Sequence, residues 1–291
     1  MRWQGRKQSS NVDDRRGKTS SGRKAAGGFG IGTIIIIILG LIFGFDPSSL
    51  LGIVGGGGGS TPATTQEREL TQSEQQSGAF ASVVLQETEN TFNRVFRESY
   101  GANYQEPVMV LFSGQTQSGC GFASAATGPF YCPADKKVYI DLSFANTLRD
   151  RFGASGDFAM AYVIAHEVGH HVQNLLGYSQ QVQQARGRVS KAESNQLSVR
   201  LELMADYLAG VWAHDADRSA GILEEGDIRE AITAASAIGD DSIQKRSQGY
   251  VVPESFTHGT SEQRMKYFSA GYKSGDASKG TLDQFFSARD L

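Results

Sequence analysis

The chain has 291 residues, of which 39% are hydrophobic, and its 28 basic and 31 acidic side chains give a formal net charge of −3. This length and apolar content allow one large domain or two modest ones with a sizeable core, which argues against a chain that is unfolded throughout. The charge is unevenly spread, because residues 1–24 carry eight basic and two acidic side chains. That segment is therefore at +6, and the remaining chain is at −9.

Residues 1–24 are rich in Ser, Arg, Lys and Gly and lack the apolar periodicity that a folded core requires. The composition predicts a disordered basic tail. Its charge suits membrane topology and attraction to anionic lipid headgroups better than binding to nucleic acid, so we expect no nucleic-acid partner.

A single transmembrane helix is predicted over residues 25–46. Its centre, residues 27–45, is an uncharged run of nineteen residues, GGFGIGTIIIIILGLIFGF, which is long enough to cross the hydrocarbon core of a bilayer. Arg23 and Lys24 precede the run, so the tail is expected in the cytoplasm and the rest of the chain outside it. A cleaved signal peptide is the alternative, although no small-residue cleavage site follows.

Residues 47–66 contain the run GGGGGS and form a flexible Gly-rich linker by composition. The folded domain is then predicted over residues 67–291. It opens with a polar helical region at 67–99, in which an apolar stripe would face the core. The stripe consists of Phe80, Val83, Val84, Phe92 and Phe96.

Two strands follow this helical region. The apolar run PVMVLF at 107–112 predicts a short buried strand, and residues 138–144 alternate apolar and polar side chains as a half-buried strand does. The second strand could pair through its edge with an extended peptide. From residue 156 onward the pattern is helical. The predicted fold is α+β, a mostly helical domain with a small antiparallel β-sheet, preceded by the transmembrane helix.

Cys120 and Cys132 are the two cysteines of the chain, and they flank the segment GFASAATGPFY, which contains glycine and proline and can fold back on itself. In the oxidising compartment outside the cytoplasm the two thiols could form a disulfide. Two unpaired thiols are the alternative.

Three of the five histidines of the chain lie close together in the apolar helical run AYVIAHEVGHHVQNLL, residues 161–176. His166 and His170 are four residues apart, so on a helix both rings project from one face and can reach one cation. Glu167 lies beside them, where it could polarise a water molecule on the metal. This HExxH arrangement predicts one zinc ion, with two histidine ligands and a carboxylate base.

The helix that carries this motif is predicted to begin near Ser155 or Asp157 and to end at Gly177, which puts the motif in its interior. Gly169 lies within it and costs about 1 kcal/mol relative to alanine in a helix interior. We expect this glycine to admit a neighbouring helix.

A second long helix is predicted to start at Ser190, which with Glu193 has the spacing of a capping box. One face carries the apolar residues Leu197, Leu201, Met204, Leu208 and Val211. Glu202 and Asp206 fall on the opposite face with two alanines, which favours close approach to another helix. Because a catalytic zinc ion needs a third protein ligand, we predict Glu202 as that ligand and Asp206 as the acceptor that fixes the tautomer of a ligand histidine. A solvated carboxylate pair is the alternative.

The segments HEVGHHVQN, RLELMADYLAGVWAH and SFTHGTSEQR resemble the bacterial family of membrane-anchored proteins called putative neutral zinc metallopeptidases, which is gluzincin-like in its HExxH and later ExxxD motifs. The resemblance covers nearly the whole chain, including SGCGFASAATGPFYCP. It implies a zincin-like fold, with His166, His170 and Glu202 as zinc ligands and Glu167 as the catalytic base.

The oxyanion of a tetrahedral intermediate needs a hydrogen-bond donor, and His258 in the loop FTHGTSEQR is our candidate. Tyr162 and Tyr139 are weaker candidates. Arg264 could orient this loop or cap a helix.

The sequence thus predicts a zinc-dependent metalloendopeptidase of the bacterial cell membrane that acts on peptide or protein substrates, with its N-terminus cytoplasmic and its catalytic domain extracytoplasmic. Two alternatives stay open: a noncatalytic, zinc-stabilised interaction protein tethered to the membrane, and a hydrolase of cell-wall amide bonds. Glu167 argues against the first, because a structural zinc site has no use for a base.

Overall fold

The structure is a computed structural model that describes residues 1–20 and 65–287. For the three residues on either side of the gap it describes the backbone alone. The predicted membrane helix, 25–46, and most of the predicted linker, 47–66, lie outside the described residues. Within the described ranges, no helix is both long and apolar enough to cross a membrane.

The central sheet has four strands. In spatial order they are β1 (Val12–Asp14), β4 (Val108–Phe112), β8 (Lys137–Asp141) and β7 (Phe130–Cys132). β1 and β8 both run parallel to β4, whereas β7 runs antiparallel to β8. The sheet is therefore mixed, and the predicted antiparallel sheet is wrong. Each pair of parallel neighbouring strands needs a crossover connection. The long helix Gln72–Tyr100 lies in the connection between β1 and β4 and supplies one of these two crossovers.

Two smaller ladders complete the strands of the described residues. β5 (Gln115–Ser118) and β6 (Gly121–Ser124) form an antiparallel hairpin. β2 (Lys18–Ser20) pairs antiparallel with β3 (Thr65–Glu67) on either side of the undescribed segment.

Helices make up most of the described chain. They are α1 (Gln72–Tyr100), α2 (Phe144–Phe152), α3 (Asp157–Leu175), α4 (Tyr178–Arg186), α5 (Lys191–Ala220), α6 (Asp227–Ala237), α7 (Asp240–Gln248), α8 (Ser261–Ser274) and α9 (Lys279–Ser287). Short 3₁₀ turns lie at Ala125–Thr127 and Pro253–Ser255. The fold class, a mostly helical α+β domain, agrees with the prediction.

The predicted disordered tail, 1–24, is wrong for its first part, because residues 1–17 pack onto the domain. Strand β1 adds to the central sheet next to β4. The backbone N–H of Arg2 donates to Ile222 at 2.8 Å, and that of Ser9 donates to Ser82 at 3.0 Å. The composition of residues 1–17 does not indicate that they are folded, because their apolar and hydrogen-bonding partners come from distant parts of the chain.

The core confirms two predictions of side-chain pattern. The apolar stripe predicted for the first helix is buried along α1. Strand β8 also alternates as predicted, but both of its faces are buried: Val138 and Ile140 face the main core, and Tyr139 faces a second cluster with Phe130. The strand ends at Asp141 rather than at residue 144, because α2 begins at Phe144.

Close helix contacts depend on glycines that lack a Cβ atom. A Cβ on Gly169 of α3 would lie 3.1 Å from the backbone of Ala205 on α5, which agrees with the predicted approach of the two helices. On the other side of α5, a Cβ on Gly271 of α8 would lie 2.0 Å from the carbonyl oxygen of Tyr207. Helix α5 is therefore held closely between α3 and α8, and these three helices carry most of the site.

Candidate metal centre

Helix α3 carries the HExxH motif in its interior. It begins at Asp157 and ends at Leu175, close to the predicted bounds. His166, Glu167 and His170 are all buried, each less than one-tenth exposed. Because this face of α3 is apolar apart from these side chains, their polar atoms need partners within the protein or from a ligand.

Helix α5 brings the second part of the centre. It starts with the predicted capping box, in which Ser190 and Glu193 each accept from the other's backbone N–H. Glu202 and Asp206 lie three and four turns further along and are 1% and 0% exposed. The alternative of a solvated carboxylate pair is therefore wrong, and both carboxylates point into the contact with α3 or α8.

The structure brings His166, His170 and Glu202 together. Nε2 of His166 lies 3.3 Å from Oε2 of Glu202, and Nε2 of His170 lies 3.5 Å from Oε1 of the same carboxylate. One potential ligand atom from each of the three residues lies within 4.8 Å of the other two. Two imidazoles and a carboxylate in this arrangement match the three-ligand set of a catalytic zinc site.

Two of these ligand atoms are buried without a hydrogen bond. They are Nε2 of His170 and Oε1 of Glu202, whose 3.5 Å separation lacks hydrogen-bond geometry. A buried polar atom without a partner is costly, and a native structure needs a reason for it. A metal ion between the three side chains satisfies both atoms, so these residues fit a zinc ion.

The other ring nitrogens of the two histidines are held by acceptors. Nδ1 of His166 lies 2.8 Å from Oδ1 of Asp206, and Nδ1 of His170 lies 2.9 Å from Oε1 of Gln173. Gln173 in turn donates to the carbonyl oxygen of Leu201 on α5. Such partners fix the ring orientation and leave Nε2 for the metal. Asp206 was predicted from the sequence and Gln173 was not, although the position of Gln173 three residues after His170 could have indicated it.

Asp206 is the centre of a buried polar network. The Arg264 guanidinium donates to both of its oxygens, from Nε at 2.8 Å and from Nη2 at 2.9 Å. The Tyr162 hydroxyl donates to Asp206 and accepts from Arg264. Of the two roles considered for Arg264, the geometry supports the helix cap, because its Nη1 donates to the carbonyl oxygen of Ile238 at the C-terminal end of α6 at 3.3 Å. Tyr162 is occupied in the network and is not placed as an oxyanion donor.

The charges of this cluster favour a cation. Burial raises the pKa of Asp206, but Arg264 and His166 outweigh it and lower the pKa to about 2. Burial lowers the pKa of His166, but Asp206 and Glu202 outweigh it and raise the pKa to about 9. The pKa of Glu202 is lowered, chiefly because the charges of His170 and His258 outweigh its burial. The centre therefore carries two ionised carboxylates beside rings that take up a proton or a metal ion.

Glu167 lies next to the ligand set with one free oxygen. Burial raises the pKa of its carboxyl, an effect that His170 and His166 partly offset. The nearby backbone N–H of Tyr131 on strand β7 also lowers this pKa, and Oε2 of the carboxylate has no hydrogen-bond partner. A carboxyl with a raised pKa and a free oxygen is suited to accept and release a proton.

Strand β7 is one edge of the central sheet in the described chain. The predicted edge strand, 138–144, is wrong in this respect, because β8 lies between β4 and β7. The backbone of Tyr131 on β7 lies close enough to Glu167 to lower the pKa of its carboxyl, so β7 borders the candidate metal centre. The predicted disulfide between Cys120 and Cys132 is present and ties this strand to the β5–β6 hairpin.

His258 lies buried in the loop before α8, and Asp240 at the start of α7 holds it. Oδ1 of Asp240 lies 3.1 Å from Nδ1 of His258, and Oδ2 accepts the backbone N–H groups of Thr257 and His258, each at 2.6 Å. Burial lowers the pKa of His258, but Asp240 and Glu202 outweigh it and raise the pKa. Asp240 was not predicted from the sequence, where it looks like an ordinary acidic residue at the start of a helix.

Two other polar groups lie apart from the centre. His171 bonds to the Tyr131 hydroxyl at 3.1 Å and to the carbonyl oxygen of Gln105 at 2.6 Å, so it has a structural role. Tyr139 donates to Asp135 at 2.6 Å and stacks on Phe130, which removes it as an oxyanion donor.

A second acidic cluster joins α3 and α6. Asp157 and Asp227 lie 3.2 and 3.3 Å from the amino group of Met1, and Glu224 lies 2.8 Å from it. Glu230, the third member of a possible metal-ligand set with the two aspartates, accepts the N–H of Phe158. An ammonium group already balances this cluster, so we assign it no metal ion.

Comparison with known proteins assigns this chain to a family. The family described as "Putative neutral zinc metallopeptidase" matches residues 1–283. The Escherichia coli K12 protein described as "Uncharacterized protein YpfJ" is 49% identical over 282 residues, which cover 95% of this chain and 96% of that protein. "Uncharacterized protein Mb2605" of Mycobacterium bovis is 48% identical over 198 residues, or 65% of each chain.

No solved structure matches this chain. The family match covers the N-terminal segment as well as the metal centre, and the buried group of His166, His170 and Glu202 is consistent with the zinc site that the family description implies. The chain therefore belongs to the family described as "Putative neutral zinc metallopeptidase".

Proposed function

We propose that the protein is a zinc-dependent metalloendopeptidase that acts outside the cytoplasm while attached to the membrane. His166, His170 and Glu202 would hold one zinc ion, and a peptide or protein would be the substrate. The observation that carries the proposal is the Glu167 carboxylate, which is buried beside the ligand set and keeps one oxygen without a partner.

The chemistry divides between the metal and the side chains. When bound, zinc would supply a Lewis acid that lowers the pKa of water and polarises the scissile carbonyl. Glu167 accepts a proton from the attacking water as the new C–O bond forms, and it then passes this proton to the amine nitrogen as the C–N bond breaks.

His258 is the proposed donor to the oxyanion. Its Nδ1 is bonded to Asp240, which leaves Nε2 as the nitrogen for a substrate oxygen. The raised pKa of His258 keeps this nitrogen protonated to higher pH. A donor with a positive charge stabilises the developing oxyanion more strongly than a neutral one does.

An extended peptide could bind along the outer side of β7. Added strands gain main-chain hydrogen bonds regardless of sequence, which suits a peptidase with many substrates. Tyr131 on this strand contacts Glu167 through its backbone, so a peptide paired there would pass the base.

Attachment to the membrane and the compartment rest on different observations. The apolar run at residues 27–45 supports contact with the bilayer. The disulfide between Cys120 and Cys132 supports an oxidising compartment.

The test is hydrolysis of a mixed peptide pool by the solubilised full chain and by Glu167→Gln, at equal zinc content. We expect Glu167→Gln to lower the rate by about 10²- to 10⁴-fold, the usual contribution of a general base. The matched control is Glu225→Gln, an exposed carboxylate, which should retain wild-type activity. Equal rates for wild type and Glu167→Gln would favour the noncatalytic alternative. Turnover of cell-wall fragments in place of peptides would favour the amide hydrolase.

A further inference from the structure

The N-terminal segment, residues 1–17, is a structural part of the metallopeptidase domain. Strand β1 pairs with β4 in register, with Asp13 opposite Val110. Its backbone hydrogen bonds run in both directions: Met109 donates to Asn11 and Arg15 donates to Leu111, each at 2.8 Å. The family match, which begins at residue 1, includes this segment.

Four of the five basic side chains of the segment form ion pairs. Arg6 lies 2.9 Å from the carboxylate of Glu87 on α1, and Arg16 lies 2.7 Å from Asp14 with its side chain only 4% exposed. A Cβ on Gly78 of α1 would lie 2.1 Å from the Arg16 guanidinium, so the helix leaves room for this side chain. Arg6 and Arg16 therefore do not belong to a free basic tail that would hold the N-terminus in the cytoplasm.

Buried carboxylates of α1 depend on the same segment. Oε1 of Glu89 accepts from the Ser9 hydroxyl at 2.6 Å and from the Asn11 amide at 2.9 Å. Glu89 is 3% exposed and Glu87 is 7% exposed. Removal of residues 1–17 would leave both carboxylates buried without these partners, which is unfavourable.

The two ends of the undescribed segment, 21–64, leave the domain side by side. Ser20 at the end of β2 is paired with Thr65 at the start of β3. Paired strands lie about 4.8 Å apart. The chain therefore returns close to the point at which it left.

A single crossing of the bilayer is incompatible with this arrangement. One crossing by residues 27–45 would put β1 and β4 on opposite sides of a hydrocarbon layer about 30 Å thick. We propose that residues 1–20 and the metallopeptidase domain lie on the same side of the membrane. Between residues 20 and 65 the chain therefore makes no net crossing of the bilayer. This inference does not depend on catalysis.

Labelling of the full chain in native membranes tests the proposal. Gln8→Cys in the N-terminal segment and Gln196→Cys on α5 place a thiol at exposed positions, while the native cysteines are joined in a disulfide. Right-side-out and inside-out vesicles are treated with a membrane-impermeant maleimide. We expect both variants to be labelled from the same face. Labelling from opposite faces would overturn the proposal, and recovery of the chain in the soluble fraction would overturn its contact with the bilayer.

A charge swap tests the packing independently of the labelling. Arg6→Glu and Glu87→Arg should each lower the melting temperature of the detergent-solubilised full chain, and the double variant should recover most of the loss. The matched control is Lys7→Glu at the neighbouring exposed position. Glu87→Arg should not restore the melting temperature of this control variant. Additive losses in the double variant would contradict contact between residues 1–17 and α1.

Discussion

Nδ1 of His166 lies 2.8 Å from a carboxylate oxygen of Asp206, across the contact between α3 and α5. The pKa of Asp206 is lowered to about 2, so the carboxylate is ionised and accepts the Nδ1 proton. This hydrogen bond leaves Nε2, which lies 3.3 Å from Oε2 of Glu202, as the ring nitrogen available to a metal ion. The position and the tautomer of a zinc ligand are thus set by one residue on another helix.

Loss of the Asp206 charge should weaken metal binding. Asp206→Asn keeps an acceptor of similar shape but removes the negative charge that orients and polarises His166. We expect zinc affinity to fall by about 10- to 100-fold, the usual effect of losing such a partner. Competition with a chromophoric chelator measures the affinity. An unchanged dissociation constant, with the variant folded by circular dichroism, would contradict this role.

Arg264 should be important for stability because it is buried against Asp206. Arg264→Ala leaves the carboxylate without its counter-charge, and we expect a loss of about 3–5 kcal/mol in the free energy of unfolding. Arg264→Lys cannot reproduce both contacts of the guanidinium and should recover only part of this loss. Urea unfolding of the three proteins measures the effect. Full recovery by lysine would mean that charge alone is required.

The contact between His258 and Asp240 should determine how kcat falls on the alkaline side of its pH profile. The pKa of His258 is raised, mainly because the carboxylates of Asp240 and Glu202 outweigh its burial. If protonated His258 is the donor, kcat should fall as the pH rises through that raised pKa. Asp240→Asn removes a carboxylate, lowers the pKa of His258 and should move the alkaline limb to lower pH. A limb that stays in place in both Asp240→Asn and His258→Gln would exclude His258 as the titrating donor.

Gly169 should be required for the distance between α3 and α5. Gly169→Ala adds a Cβ that would lie 3.1 Å from the backbone of Ala205, so we expect a loss of about 1–3 kcal/mol from overpacking and weaker zinc binding. The matched control is Gly280→Ala on α9, where a Cβ meets no atom within 4 Å and helix propensity should raise stability slightly. Thermal unfolding with and without a chelator compares the two. Equal behaviour of the variants would show that the helices tolerate a wider separation.

Local pattern explains why the sequence predicted so much of the centre. His166, Glu167 and His170 are fixed by helix geometry within one turn, and Glu202 and Asp206 share one helix face for the same reason. The capping box at Ser190 marks the start of that helix without reference to other residues. These features need no knowledge of distant contacts.

Non-local pairing explains what the sequence did not predict. Strand β1 has only three residues, and its identity as a strand depends on β4, far along the chain. Asp240 supports His258 only because the loop before α8 folds back on α7. The mixed sheet follows from the same cause, because strand direction depends on connections that composition does not report.

Zinc content of the purified full chain tests the central claim most directly, since the account requires α3 and α5 to hold one divalent ion together. We predict one zinc ion per chain for the wild type and for Glu225→Ala, and less than about a tenth of that for Glu202→Ala after dialysis, because a third protein ligand is lost. Retention of one zinc ion per chain by Glu202→Ala would contradict the proposed ligand set.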